Sequence, residues 1–149
     1  MTYLTVDSST SKCGIAVFDS GKLISHLTKE FPGTWDQTKL VNIVKYFEDL
    51  ISELNPDVVL IEEPLVFAKQ SRSVAMLNQV GGAIFTVAIM FGKSVVFFHG
   101  QKVKKYLKFK TKQESIAIAQ ETYNITGINE HEADAINLHD AYILFGGSI

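Results

Sequence analysis

Acidic side chains at three distant points of the 149-residue sequence could together hold divalent cations. Asp7 ends the strand-like run "LTVD", and Glu62 and Glu63 end the apolar run "DVVLIEEP". In "NEHEADA", His131 and Asp134 stand three residues apart, so they share one face of a helix. Carboxylates that converge would repel one another unless a cation such as Mg²⁺ or Mn²⁺ lay between them. Two such ions could support the in-line displacement of a phosphoryl group.

Each acidic locus also has an ordinary structural explanation. Asp7 precedes Ser-Ser-Thr and could form an Asx turn or a cap, and the two glutamates could be a strand end that reaches solvent. Only one of Glu62 and Glu63 can face Asp7, because successive strand residues point to opposite sides of a sheet. Asn129 and Glu132 have the spacing of a helix-capping pair. The three loci together exceed what helix and turn chemistry requires, which favours a metal site.

Four other polar residues lie near these loci in the sequence. Asp140 is six residues from Asp134, about 120° around a helix, so the two are not expected to share a metal ion. His139 is expected at the surface or at an interface. Whether Glu63, Glu130 or Asp140 contributes to the metal site is left open by the sequence.

The order of apolar patterns predicts an α/β fold. Alternation predicts strands over 2–7 and 13–18, then a third in "KLISHLTKEF", and continuous apolar runs predict strands in "DVVLIEEP" and "SVVFF". The spacing Thr34-x-x-Gln37 predicts a capping box at the start of the first helix. Further helices are expected from Ser71 to about Met90 and over 101–107, 112–123 and 129–145. These elements predict a mixed five-stranded sheet flanked by helices, with three antiparallel strands and then two parallel ones.

Length and composition fit one domain over residues 1–149. The single cysteine, Cys13, excludes an intrachain disulfide, and no signal peptide is visible, so a cytoplasmic, reducing location is expected. The longest apolar stretch is interrupted by Gly92 and Lys93. It is therefore predicted to be a helix end followed by a strand, and not a membrane span.

The charges are unevenly distributed along the chain. From Leu65 to Lys112 there is no Asp or Glu but nine of the fourteen Lys and Arg residues, which leaves five basic residues against sixteen acidic ones elsewhere. Within this block, "GQKVKKYLKFKTK" holds six lysines, with Tyr106 and Phe109 between them. A solvated helix face usually mixes both signs, so the pattern favours a surface that binds nucleic acid phosphates.

Several motifs resemble those of the RuvC Holliday-junction resolvases, particularly the phage-encoded members, over nearly the whole chain. "TVDSSTSKCGIAVFD" resembles the first hairpin with its catalytic Asp, and "VVLIEEP" resembles the strand that carries the second ligand. "FAKQSRSVAMLNQVGGAI" is similar to the segment that follows, "GQKVKKYL" and "KFKTKQES" to two DNA-contact segments, and "HEADAINL" to the terminal helix.

The resemblance implies an RNase H-like fold and a homodimer that cleaves branched DNA, such as four-way junctions and forks, with Mg²⁺ or in its place Mn²⁺. It implies that the catalytic and metal-binding residues are Asp7, Glu62, His131 and Asp134. The expected DNA contacts are Phe67, which could wedge against unstacked bases, and the basic residues Lys69, Arg72, Lys102, Lys104, Lys105 and Lys112. If the protein is phage-encoded, it would act in the host cytoplasm.

The sequence departs from the family pattern in places, and two other functions remain open. Ser9 stands where many relatives have Gly, and His131 stands where many have an acid, which puts strict sequence preference in doubt. "VDSSTSKCGIAVFD" also resembles the first phosphate loop of actin-like ATPases and sugar kinases, but those folds need two lobes and a glycine in this loop. The other alternative is a branched-DNA binding module that does not catalyse cleavage.

Overall fold

The computed structural model describes residues 1–9, 11–63 and 72–149, with five strands and five helices in these ranges. In chain order they are β1 (Thr2–Asp7), β2 (Lys12–Asp19), β3 (Lys22–Glu30), α1 (Gln37–Leu54), β4 (Val58–Glu63), α2 (Arg72–Met90), β5 (Ser94–His99), α3 (Gly100–Leu107), α4 (Lys112–Tyr123) and α5 (Glu130–Phe145). The predicted helix-then-strand division of the long apolar stretch is confirmed, because α2 ends at Met90 and β5 begins at Ser94.

The strands form one mixed sheet in the order β3-β2-β1-β4-β5. β1, β2 and β3 are antiparallel neighbours, and β1 is parallel to β4, which is in turn parallel to β5. This is the predicted arrangement of three antiparallel strands followed by two parallel ones. It brings the carboxyl ends of β1 and β4 to the same edge of the sheet, where open α/β sheets place their ligands.

Helices cover both faces of the sheet, and the buried side chains of β1 alternate between these two faces. Leu4 and Val6 pack against α1 and α2 in one apolar cluster, whereas Tyr3 packs against α5 in another. The hydroxyl of Thr5, on the α5 side, donates a hydrogen bond of 2.8 Å to the carbonyl of Ala135. This buried bond fixes α5 against the strand that ends in Asp7.

The start of α1 differs from the prediction. The N-cap is Asp36 and not Thr34: the Asp36 carboxylate accepts a hydrogen bond of 2.8 Å from the backbone N–H of Lys39. A carboxylate next to the first turn is a strong acceptor for free helix N–H groups, so it replaces the Thr34–Gln37 box that the spacing suggested. The prediction for α5 is confirmed, because Asn129 caps it in a capping box with Glu132.

The expectation of a surface or interface position for His139 is wrong. Its side chain is 2% exposed, and its ring stacks on Phe18 with centroids 3.6 Å apart and planes 8° apart. His139 Nδ1 lies 3.0 Å from Asp140, which also accepts a hydrogen bond from the hydroxyl of Tyr123. The sheet strand β2 supplies the aromatic partner, and helix periodicity alone does not reveal it.

Within the described ranges, no helix combines the length and the apolar character needed to cross a lipid bilayer.

Candidate metal and DNA site

Asp7 and Glu62 lie side by side at the carboxyl ends of β1 and β4. The parallel register pairs Val6 with Ile61, so the next residue of each strand reaches the same sheet edge. The two carboxyl groups are close enough for each to influence the pKa of the other. Gly100, the first residue of α3, passes so close that a Cβ at this position would overlap Glu62 Oε1. Glu63 is exposed, so Glu62 is the glutamate that faces Asp7.

The environment of these two acids opposes the ionisation of both. Burial is the main cause that raises the pKa of Asp7 to about 7, and the charges of Asp134 and Glu130 act in the same direction. Burial also raises the pKa of Glu62 to about 9, with the Asp7 charge as the next cause. At neutral pH the pair therefore retains a proton unless a cation compensates the charge.

Helix α5 brings the third acidic locus to this pair. His131 Nδ1 lies 3.4 Å from Asp7 Oδ2, and Asp134 follows on the same face of the helix. The close approach depends on Gly14, the β2 residue paired with Asp7, because a Cβ there would overlap the backbone carbonyl of His131. The structure thus brings together the four residues predicted from the sequence: Asp7, Glu62, His131 and Asp134.

Asp134 is oriented by a buried relay of hydrogen bonds from α4 and α5. The Asn137 amide donates bonds of 2.9 Å to both the carbonyl and the hydroxyl oxygen of Ser115. The Ser115 hydroxyl, itself 1% exposed, then donates its one proton to Asp134 Oδ1 at 3.1 Å. The sequence interpretation missed Ser115 and Asn137; the only signal for Asn137 was one amide within the otherwise apolar "AINL".

The predicted basic residues lie beside the acids on α3 and at the start of α4. A cleft of about 210 Å³ has Glu62 and Asp134 among its lining residues, together with Lys104 and Lys112. Lys112 Nζ forms an ion pair of 2.6 Å with Glu130, whose other oxygen lies 3.7 Å from His131 Nε2. The lining of the cleft therefore combines carboxylates with ammonium groups.

Of the other five predicted DNA contacts, the structure describes the side chains of two, Lys102 and Lys105. The exposed Lys102 lies over the rings of Phe98 and Phe145, with its Nζ 5.5 and 4.7 Å from their centroids. Lys105 is exposed on the same helix, α3. Phe67 and Lys69 lie outside the described residues, and Arg72 opens α2 with a side chain that is not among those described. Asp140 is engaged with Tyr123 and His139, away from the acidic pair.

The donor set fits a hard divalent cation. Among the residues that the structure describes, no three His, Cys, Asp or Glu side chains are spaced to hold a metal ion as they stand. Carboxylate oxygens, which three of the four predicted residues supply, are the ligand type that Mg²⁺ and Mn²⁺ prefer. A cation between Asp7 and Glu62 would take the place of the proton that the pair retains and would offset the burial and charge repulsion that raise their pKa values.

A mixed sheet in this order, with acids at the ends of β1 and β4 and on the final helix, defines the RNase H-like fold. Residues 3–141 match the family described as Crossover junction endodeoxyribonuclease RuvC. The match spans most of the chain, and the protein therefore belongs to the RuvC family of endodeoxyribonucleases. Similar curated relatives are the RuvC proteins of Citrifermentans bemidjiense and a Geobacter species, each 24% identical over 130 residues that span 80% of this chain and 76% of the relative.

Solved structures agree on the fold. RuvC of Thermus thermophilus in complex with Holliday junction substrate has a TM-score of 0.81 at 17% identity, covering 98% of this chain and 97% of that one. The yeast mitochondrial Holliday junction resolvase Ydc2 has a TM-score of 0.67 at 11% identity, covering 96% and 78%. A ROK family protein of Streptococcus pneumoniae in complex with sucrose reaches 0.53 at 13% identity, covering 72% of this chain but 37% of its own length. That last similarity supports a shared fold and not the alternative of a sugar kinase lobe.

Proposed function

We propose that this protein is a metal-dependent endonuclease that cleaves branched DNA, four-way junctions in particular, by phosphodiester hydrolysis. The observation that carries the proposal is the partly buried Asp7–Glu62 pair, whose Glu62 lines a cleft together with Lys104 and Lys112. A phosphate that enters this cleft meets both ammonium groups and carboxylates of its lining. The junction substrate bound by the Thermus thermophilus RuvC supports the choice of branched DNA.

The metal-binding residues of this proposal are Asp7, Glu62 and Asp134, with His131 as a further ligand or as the acceptor of a proton from the attacking water. Two Mg²⁺ ions, when bound, would neutralise the phosphate and lower the pKa of the attacking water, and Mn²⁺ would substitute. The relay through Ser115 occupies one oxygen of Asp134 and leaves the other available for a ligand bond. The acids are only partly exposed to solvent, which strengthens the charge interactions in the site.

The lysines on α3 and α4 would bind phosphates of the DNA backbone without reading bases. These are Lys102, Lys104, Lys105 and Lys112. Because Lys112 is paired with Glu130, a phosphate must compete with that carboxylate for the ammonium group. Phe67, Lys69 and Arg72 remain predicted DNA contacts beside Glu62.

The proposed active form is a homodimer that uses α2 and β5. Phe85 and Ile89, one helical turn apart on α2, are 40% and 50% exposed, and Phe97 of β5 is 40% exposed. The Phe85 and Phe97 rings lie 5.7 Å apart, so they form one apolar patch of the kind that buries itself in an interface. Analytical ultracentrifugation tests this: a dimer is expected, and Phe85→Lys should yield monomers.

The proposal also covers the domain organisation, the origin and the location of the protein. Residues 1–149 would form a single nuclease domain of the phage-encoded type, acting on DNA in the cytoplasm of the host cell.

Cleavage of labelled four-way, forked and linear duplex DNA, with Mg²⁺, Mn²⁺ or EDTA, tests the proposed activity. We expect nicks in branched DNA with either cation and none in EDTA. Asp7→Asn should abolish nicking while junction binding at the same salt concentration is retained. Binding without cleavage in every cation would instead support the non-catalytic binding module, and full activity of Asp7→Asn would remove the proposed role of the acids.

A further inference from the structure

A second basic site lies outside the lysine-rich segment, between β3 and α1. A cavity of about 290 Å³ is lined by Lys29, Lys39, Asn42 and Tyr46, together with residues 30–32. Both lysines belong to the part of the sequence in which acidic residues predominate, so the charge distribution along the chain gave no sign of this cluster.

Lys39 is the unusual member of the cluster because its charged side chain is buried. The residue is 6% exposed, and its Nζ donates one hydrogen bond of 2.9 Å, to the carbonyl of Gly33. An ammonium group has three donors, and a buried charge is costly unless it is paired. Within residues 1–9, 11–63 and 72–149 no carboxylate forms an ion pair with Lys39, and the remaining residues include no Asp or Glu.

Lys29 adds a second ammonium group to the same cavity. Its Nζ lies 5.0 Å from the centroid of the Tyr46 ring and 5.8 Å from that of Phe31, so aromatic faces hold the charge at the cavity wall. The one carboxylate on the rim, Glu30, pairs with Lys12 at 3.5 Å. The lining therefore carries a net positive charge together with the Asn42 amide, a combination that suits a tetrahedral oxyanion.

The cavity lies at the end of the sheet that carries the acidic pair. Asp7 of β1 pairs with Gly14 of β2, and Gly14 pairs with Thr28 of β3. Lys29 therefore lies two strands away from Asp7 and one residue closer to the end of the sheet where β1 ends. Two strand spacings amount to about 10 Å. Lys29 is on the α1 face, because it pairs with Cys13, which packs in the cluster of α1 and α2. Asp7 faces α5, where it meets His131, so the acidic pair and the cavity lie on opposite faces of the same sheet end. A duplex arm would have to pass over this edge of the sheet to contact both.

We propose that the cavity around Lys39 and Lys29 binds a backbone phosphate of a DNA arm, at a position separate from the cleft where cleavage is proposed. This inference rests on the proposed function for the identity of the ligand as DNA. The phosphate would complete the unfilled donors of Lys39 and Lys29 and would add one anchoring point on the far side of β3. It contributes to binding and orientation, and not to the chemistry at Asp7.

The test measures junction affinity in EDTA by fluorescence anisotropy over a range of salt concentrations. Lys39→Met removes the buried charge with little change in shape, and Asn42→Asp places a carboxylate on the exposed rim. Each should weaken binding about tenfold, and Lys39→Met should lower the slope of log K against log salt by about 0.9. Lys45→Met, an exposed lysine of α1, is the matched control and should have a smaller effect on both.

Two further measurements separate the possible outcomes. The cleavage rate at saturating DNA should stay at the wild-type value in Asn42→Asp, because the cavity is separate from the acids. If Lys39→Met unfolds, the affinity of Asn42→Asp decides, and wild-type affinity and slope in a folded variant would overturn the proposal. Inorganic phosphate is titrated into the wild-type protein, and binding is followed by the NMR shifts of Asn42. If phosphate binds but the variants keep wild-type junction affinity, the cavity is a site for small anions and not for DNA, and the DNA assignment is overturned. Failure of cleavage in wild-type protein would affect the proposed function alone, since binding in EDTA needs no catalysis.

Discussion

Replacement of Asp7 by Asn should stabilise the metal-free protein at alkaline pH, although it should remove the activity. Burial raises the pKa of Asp7 from 3.8 to about 7, so the folded state keeps a proton that the unfolded chain has already released. The free energy of unfolding of the wild-type protein therefore falls as pH increases from about 4 to about 7. Asparagine carries no charge at any pH, so this loss disappears in the variant.

The magnitude follows from the size of the pKa change. One pKa unit corresponds to about 1.4 kcal/mol, so a rise of about three units costs the wild-type protein up to about 4 kcal/mol at pH 8 and about 1.5 kcal/mol at pH 5. The free-energy difference between Asp7→Asn and wild type should thus shift by about 2–3 kcal/mol in favour of the variant from pH 5 to pH 8. Loss of the Asp7 charge also lowers the pKa of Glu62, which acts in the same direction.

Urea denaturation in EDTA at the two pH values, followed by circular dichroism, measures this difference. Asp49→Asn, which changes an exposed aspartate of α1, is the control and should follow the wild-type pH dependence. Addition of Mg²⁺ at pH 8 should stabilise the wild-type protein and have much less effect on Asp7→Asn, because the ion binds only the folded site. Parallel pH profiles for Asp7→Asn and wild type would refute the reasoning from burial and charge.

Three further predictions concern the residues that position the acids and the DNA. Ser115→Ala removes the hydroxyl that orients Asp134, so the Mg²⁺ concentration for half-maximal cleavage should rise about tenfold in a titration of the cleavage rate. Gly14→Ala places a methyl group against the backbone carbonyl of His131, so the free energy of unfolding in urea should fall by about 2 kcal/mol or more. Lys112→Gln removes a phosphate contact, so the slope of log K against log salt for junction binding should fall by about one in anisotropy titrations.

Each of these predictions can be contradicted by a specific result. An unchanged Mg²⁺ dependence in folded Ser115→Ala would show that Asp134 does not need the hydroxyl. Wild-type stability of Gly14→Ala would show that α5 does not depend on the close approach. An equal change of slope in Lys22→Gln, an exposed lysine at the start of β3, would show that Lys112 acts only through net charge.

The adjacency of the acids was predictable because it depends on local patterns and sheet topology. The alternation in β1 and the continuous apolar run in β4 indicate neighbouring parallel strands, and the residues after parallel strands meet at one sheet edge. The capping pair Asn129 and Glu132 fixes where α5 begins, and thereby the face that carries His131 and Asp134. Each of these features can be identified from a short stretch of the sequence.

Features that depend on contacts between distant elements were not predictable in the same way. Ser115 reaches Asp134 from a different helix, and Lys39 is buried by the loop that precedes its own helix. His139 was expected near the surface because a helical wheel does not say which strand residue will cover it; Phe18 does so. Asp36 displaced Thr34 as the N-cap because competition between two nearby acceptors is decided by backbone geometry, which spacing alone does not specify.

The position of Mn²⁺ in crystals of the protein, located by its anomalous scattering, tests the central claim most directly. The account predicts an ion bound by carboxylate oxygens of both Asp7 and Glu62 at roughly 2 Å, with Asp134 turned toward the same site. The Asp7–Glu62 pair would then no longer retain a proton at neutral pH. Crystals in saturating Mn²⁺ with no ion between the two side chains would contradict the account.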